Sequence, residues 1–551
     1  MVYIEKRKIG TNTYLYLCKK ERINGKVTRT LNIYLGKEEN LKERLSHIQR
    51  VPLEITNLKT SSFGYVAALW RVSEMLNLST IINNNTSKRN QGLSVGDYIT
   101  LAVINRIDEP CSKNAIANWF DKTWLYNKYN IQSKILSGQA YWNHLGYLDE
   151  NAIASIEIAL TQQVFQLLDV DLDCLLFDPT NFHTFIKTPR AGKLPQRGHA
   201  KSKRNDLKIV ALSLLVTRDR GIPLMHKTYA GNTHDSTHFK SMIPEFIARF
   251  KELNRECEDI TIVFDKGNNS IQNIGDLKEK NLNFIASLRP SSFKHLLDYP
   301  ETHFDKLQLK NEKMILACEV EDKVFGLTHQ RVIITKDKES EKRSHINLLE
   351  RLDFITAELL ELRAKLNWHV WKQRVRVEKR ITNILDRKAG KCLAVKLEGV
   401  DGALSMKIEL VGDVFAKMIR GYGRSFLTTS RRDWSMKEVV LAYHDQYEVE
   451  HDFREMKCVE SIRTNPMRHW TDQKIMAHLF ICVLALVMKV FLREYLRKNQ
   501  VHMSHIEIKN CFQKMVLVQY DLPNKEHNIQ ISSLKSVPKK IRNILSLDNL
   551  I

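Results

Sequence analysis

Two apolar runs that each end in an aspartate constrain this chain more than any other feature. LLFDPTN at 175–181 and IVFDKGN at 262–268 repeat one phrase. A short apolar run bounded by turn-forming residues reads as a buried strand. An acid where such a strand ends stands at the rim of the sheet, where open α/β sheets place their ligands. A single aspartate there is commonly a cap for the next loop or helix; two in matching contexts point to a shared site. The flanking pattern is equally ordered. LDCLLFD is followed by a basic loop, then by strands LKIVALSLLVT and LMHKTYA around the turn Asp219–Pro223. An amphipathic helix, STHFKSMIPEFIARFKEL, comes next, then strand ITIVFD, a helix around IQNIGDLKEK and strand NFIASL. Three strands followed by helix–strand–helix–strand predict an α/β domain.

Charge narrows the partner. Lys and Arg number 85 against 63 Asp and Glu, a formal net charge of +22, which favours a polyanion, most often nucleic acid, over a neutral metabolite. Residues 1–36 alternate in hydropathy through YLYLC and VTRTLNIYL, and Asn24–Gly25 between them is a hairpin signal, so a small β-meander is expected. Residues 37–165 turn to helical periodicity and predict a helical region, either a scaffold or a DNA-end-binding element. The α/β pattern fills 166–300. Residues 301–430 mix strand-like stretches with two long charged helices and predict an inserted subdomain; the α/β pattern resumes at 431–500, and 501–551 is a basic tail. Nine cysteines include no CxxC pair, so neither a zinc ribbon nor a disulfide framework is expected. MVYIEKRKIG has no apolar core, so no signal peptide is expected. IMAHLFICVLALVM at 475–488 contains His478 and is short for a bilayer span; it predicts a buried core helix.

A third acid comes from YHDQYEVEHDFREMK, residues 443–457. At 100° per residue, Tyr443, Gln446, Tyr447, Glu450, Arg454 and Lys457 share one stripe, beside a buried edge of Ala442, Val449, Phe453 and Met456. Glu448, His451 and Glu455 point to the opposite, solvated side, which leaves Glu450 as the glutamate beside the core. Read blandly, Glu450 and Arg454 form an ordinary i,i+4 surface pair. These residues carry a resemblance. The chain resembles the DDE transposases of bacterial insertion sequences, in the IS4-like superfamily, and most the IS1634 group. The signature there is Tyr, two residues, Arg, three residues, Glu, six residues, Lys; Tyr443, Glu450 and Lys457 match it and Gln446 replaces the Arg. Asp178 in FDPTNF and Asp265 in VFDKGN resemble the first two acids. AGNTHDS at 230–236, RSFLTTSRRDWS at 424–435 and the late helix AHLFICVLAL are similar too.

The resemblance implies an RNase H-like catalytic domain interrupted by a mixed β/α insertion subdomain, preceded by the β-meander and the helical region. It implies cleavage of DNA at terminal inverted repeats and strand transfer into target DNA, by a homodimer across two ends, in the bacterial cytoplasm on the nucleoid. In-line displacement at a phosphodiester can be served by two divalent ions roughly 4 Å apart. Mg²⁺ (Mn²⁺ can substitute) takes hard oxygen ligands, so Asp178, Asp265 and Glu450 are the expected ligands, with Asp178 as the bridge. The basic loop carries Lys187, Arg190, Lys193, Arg197, Lys201, Lys203, Arg204 and Lys208; Lys201, Lys203 and Arg204 are expected on phosphates. Tyr443, Gln446, Arg454, Lys457, Arg463 and Arg468 are expected beside the DNA backbone, with Trp470 near them. Trp434 is either core or a stacking platform for an unpaired base. A nuclease that cuts without joining, or a non-catalytic DNA-binding derivative, are the alternatives.

Overall fold

The computed structural model describes residues 2–23, 26–41, 55, 57–88, 91–186, 192–201, 203–253, 259–310, 312–522, 527–532 and 537–550. The Asn24–Gly25 turn and Lys187 and Arg190 lie outside them. The chain divides into two compact units, residues 1–61 with 516–532 and residues 62–515 with 533–551.

In the first unit, β1 (Val2–Ile9), β2 (Asn12–Ile23) and β3 (Lys26–Lys37) form the antiparallel meander. Leu15 and Cys18 of β2 are buried. A strand that helical periodicity hid, β4 (Asn57–Ser62), forms a second sheet with Val516–Asp521, which pairs in turn with His527–Ile531. Part of the expected tail is therefore sheet. Pairing between segments more than 450 residues apart leaves no local pattern to read.

The second unit opens with α1 (Gly64–Met75), α2 (Leu78–Asn84), α3 (Val95–Asp108) and, after shorter helices, α4 (Glu150–Leu167). The strand–helix series follows: β5 (Cys174–His183), β6 (Ile209–Thr217), β7 (Pro223–Ala230), α5 (Asp235–Glu252), β8 (Thr261–Phe264), α6 (Ile271–Glu279) and β9 (Asn283–Leu288). These strands lie in the order β7-β6-β5-β8-β9. The first three run antiparallel, and β8 and β9 run parallel to β5.

Of residues 301–430, β10 (Asp305–Gln308), β11 (Met314–Val324) and β12 (Leu327–Lys336) join this same sheet. Between β12 and the returning strand, α7 (Lys338–Ala364) and α8 (Arg374–Leu385) pack on the hairpin β13 (Leu393–Glu398) and β14 (Ser405–Leu410). Leu348, Leu352, Ile355, Leu359 and Leu362 recur four and three apart and meet Val377, Ile381 and Ile384 in a separate small core. The strand β15 (Arg424–Thr429) re-enters between β12 and β9, completing nine strands.

The chain closes with α9 (Met436–His444), α10 (Tyr447–Lys457), α11 (Asp472–Lys498) and α12 (His505–Gln513). At 27 residues, with an 18-residue window of mean hydropathy 2.5, α11 has the length and composition of a membrane span, longer than its apolar run implied; 94 % of that window is buried inside the protein. It packs on α1, α3, α4, β7 and α10 and so acts as the core helix expected there. A buried polar triad fastens α4 to the sheet: Glu157 bonds His226 of β7 and, at 3.1 Å, Arg249 of α5.

Candidate active site

Register brings the two aspartates together. In the parallel ladder of β5 and β8, Phe177 stands opposite Phe264. The next residues, Asp178 and Asp265, are therefore neighbours on adjoining strands, about 4.8 Å apart in backbone. Asp178 is not at a strand end, as its run implied: β5 continues to His183 along β6, and only its ladder with β8 stops there. Phe264 faces Ala286 on β9, which sets Ser287 beside Asp265. The Ser287 hydroxyl donates to Asp265 Oδ1 at 2.5 Å and accepts from the Lys266 amide at 2.9 Å.

The third acid arrives on α10, which packs across β5 and β6. The expected continuous helix is broken at Asp445–Gln446. Buried Asp445 accepts from Arg218 at 2.6 Å and from Lys310 at 2.8 Å, and the turn ends α9 there. Tyr443 nonetheless reaches Asp265 Oδ1 at 3.4 Å. Its hydroxyl is pushed up to about 12, by burial first and then by the negative charges of Asp265 and Glu450. Burial also pushes the Asp178 carboxyl up to about 7; Lys201 opposes the rise, and Glu450, Asp265 and Asp235 add to it. Asp178 thus sits in the field of three other carboxylates.

These acids are not drawn to ligating distance: among the described residues no three His, Cys, Asp or Glu side chains form a metal-sized group. Like charges repel, and only a cation between them offsets that repulsion. The donor set itself suits a hard divalent ion, being all carboxylate oxygen.

The remaining residues divide by place. Lys457 donates to Thr180 at 2.6 Å, its ammonium 5.5 Å from the Phe182 ring. Lys201 lies 4.0 Å from Asp178 Oδ1 and bonds the Pro179 carbonyl. Arg204 is already paired with Asp206 through two 2.8 Å bonds; Lys203 is exposed. Arg454 is exposed, whereas the Gln446 amide nitrogen is buried without a partner. Arg463 and Arg468 follow α10 on a segment that joins the end of β5 through a Thr184–Met467 bridge. Trp434 is not brought to the acids. Its ring lies 5.0 Å from the guanidinium of Arg431, which bonds Thr261 at the far end of β8.

The opposite face of α10 is not solvated. Glu455 is bonded to Lys489 at 2.5 Å, and His451 stacks on His505. A neighbouring helix covers that face, which the wheel of one helix does not reveal.

Sequence reasoning gave no role to Ser287, Asp235, Thr180 or Asn181. Asn181 donates to the His199 carbonyl at 3.0 Å and accepts from the Lys201 amide at 3.2 Å, so it holds Lys201 beside Asp178. Asp235 accepts from Tyr229 at 3.3 Å. Its place in AGNTHDS was the available signal.

The family model described as "Transposase DDE domain" matches residues 183–488, more than half of the chain. Asp265 and Glu450 fall inside that span and Asp178 just ahead of it. No curated protein matches. Among solved structures, a piggyBac transposase synaptic complex with hairpin DNA, determined by cryo-EM, is 8 % identical with a TM-score of 0.39, over 83 % of this chain and 82 % of that one. With two aspartates on adjoining parallel strands, a glutamate on the helix across them and the family match over most of that frame, this chain belongs to the DDE transposase family.

Proposed function

We propose that the protein is an insertion-sequence transposase of the IS4-like superfamily, of the IS1634 group, with an RNase H-like catalytic core. The observation that carries this is the side-by-side register of Asp178 and Asp265 beneath α10, supported by the strand order β7-β6-β5-β8-β9. The substrate is double-stranded DNA: terminal inverted repeats, then a target. Asp178, Asp265 and Glu450 would hold two Mg²⁺ ions, which when bound activate the attacking oxygen and stabilise the leaving one. Asp178, whose carboxyl feels the charges of both other acids, would serve as the bridge. The protein supplies no nucleophile; water and then the 3′-hydroxyl of DNA attack the phosphodiester. Thr180 orients Lys457, and Asn181 orients Lys201, toward the backbone of the strand being cut. A homodimer on paired ends, working on the nucleoid in the cytoplasm, completes the proposal. The decisive experiment is a strand-transfer assay with paired terminal-repeat DNA and Mg²⁺. Joined products are expected; cleavage without joining would reduce the protein to a nuclease, and binding alone to a DNA-binding derivative.

Two further outcomes follow. With its carboxyl at about 7, Asp178 keeps in the fold a proton that the unfolded chain, near 3.9, gives up. The fold then binds more protons than the unfolded chain between about pH 4 and 7, so metal-free stability falls as pH rises through that window. Melting curves from pH 4 to 8 should show this fall, Asp178→Asn should flatten it, and Mg²⁺ affinity should rise up to about pH 7. A metal-free melting temperature that rises through the window would overturn the assignment.

Neutralising Lys201, Lys203 and Arg204 together should weaken binding to all DNA sequences about equally. Each lost phosphate contact should shallow the slope of log affinity against log salt by about 0.9. Because Arg204 is tied to Asp206, its single variant should have the smallest effect of the three. A loss confined to one sequence would instead indicate base contacts.

A further inference from the structure

A second site lies where α3, the segment 110–116 and the segment 463–469 meet. They enclose a cavity of about 480 Å³ lined by Arg106, Lys113, Arg463 and Arg468, and among the described residues no carboxylate lines it. Arg106 donates to the Arg463 carbonyl at 3.2 Å, and the Lys113 ammonium stands 4.6 Å over the Trp142 ring. Four like charges gathered at one wall favour an anionic guest, although the Glu109 carboxylate also acts on Cys111 there. The field is felt nearby: burial first, then the neighbouring cations, hold the imidazoles of His469 and His478 at about 2 and 3.

Three of the side chains that line the cavity also carry a buried polar atom without a partner among the described residues. Tyr141 is 2 % exposed, and its hydroxyl has no partner; nor have Asn465 Oδ1 and His469 Nδ1. Buried polar atoms are ordinarily paired, so three unpaired on side chains that line one cavity point to a guest with polar groups of its own. The volume falls within the roughly 300–1,000 Å³ of small-molecule sites and far exceeds what inorganic phosphate would fill. Ile116 and Ile481 give the wall an apolar part.

We propose that this cavity binds a nucleoside phosphate, its phosphoryl group on Lys113 and Arg468 and its base and sugar against Tyr141, Asn465 and His469. Two sources share that chemistry: a free mononucleotide, and the 5′-phosphorylated end of a DNA strand. Hydrolysis at phosphorus with the 3′-oxygen leaving produces such an end. The bridge of Met467 to Thr184 puts the segment on the strand that carries Asp178, six residues along, or about 20 Å at 3.3 Å per residue. The strand-end source rests on the DNA-processing reading; the free-nucleotide source does not.

The test is calorimetric titration of the full chain with thymidine 5′-monophosphate, inorganic phosphate, and a short single-stranded oligonucleotide bearing either a 5′-phosphate or a 5′-hydroxyl. Variants are Lys113→Ala/Arg468→Ala and, to spare the fold, Tyr141→Phe. Monophosphate binding about tenfold tighter than inorganic phosphate, lost in the double variant and weakened severalfold in Tyr141→Phe, establishes the free-nucleotide source. A similar preference for the phosphorylated oligonucleotide alone, abolished by the same variants, establishes the strand end. Equal binding of phosphorylated and hydroxyl oligonucleotides with no uptake of monophosphate, or binding that ignores both variants, overturns the proposal. None of these titrations needs the catalytic acids or metal, so this failure is separable from failure of the strand-transfer assay.

Discussion

Replacing Asp178, Asp265 or Glu450 by alanine is expected to lower DNA cleavage by more than about 10³-fold, some 4 kcal/mol of barrier at 1.36 kcal/mol per decade. Binding to terminal-repeat DNA should stay nearly intact, since the basic residues proposed to meet phosphate are untouched. The reason is geometric. Asp178 and Asp265 stand side by side on β5 and β8, and Glu450 lies close enough to raise the Asp178 carboxyl, so losing one acid removes a third of the ligand set. Thermal stability provides the internal control. Without metal these acids repel one another, so each alanine variant should melt no lower than the parent. Glu448→Ala should remain active, because Glu448 lines a pocket with Asp219, Arg220, Arg493 and Glu494, away from Asp178. Inactivity of Glu448→Ala with activity of Glu450→Ala would reverse the assignment of the two helix faces.

The opposite signature is expected of Glu455→Ala. The Glu455 carboxylate bonds Lys489, whose side chain is only 7 % exposed, and Ser461 bonds both. Although burial alone would push the Glu455 carboxyl up, the Lys489 ammonium holds it below its usual range. Removing the acid leaves a buried, unpaired ammonium, at a cost of roughly 3–5 kcal/mol. The unit should melt earlier and become sensitive to protease, while residual folded protein keeps its cleavage chemistry. The double variant Glu455→Leu/Lys489→Met removes both charges and should recover most of the loss. Full stability of the single variant would mean that Lys489 finds water instead. Two glutamates five residues apart on α10 thus separate chemistry from stability.

Local pattern carried much of this. Apolar runs of strand length and the 3.6-residue period of α5 depend on neighbours in sequence, so they could be read directly. The stripe through Tyr443, Glu450 and Lys457 likewise follows from helix geometry, even though Asp445 interrupts the helix. The assumption that Glu455 faced water failed because a helix wheel shows which residues share a side, not what packs on it.

What the sequence by itself determined was the kind and order of the elements from β5 to β9, the core helix α11 and the excess of positive charge, because periodicity, residue type and composition are properties of the chain alone. Tertiary structure decided the rest. The β5–β8 register made neighbours of Asp178 and Asp265; Ser287, Asp235, Thr180 and Asn181 took their places around them; β4 found its partner near the far end of the chain; and Trp434 went to the wrong end of β8 for the acids. Each of these rests on a contact between residues distant in sequence, whose free energy appears only once packing has brought the segments together.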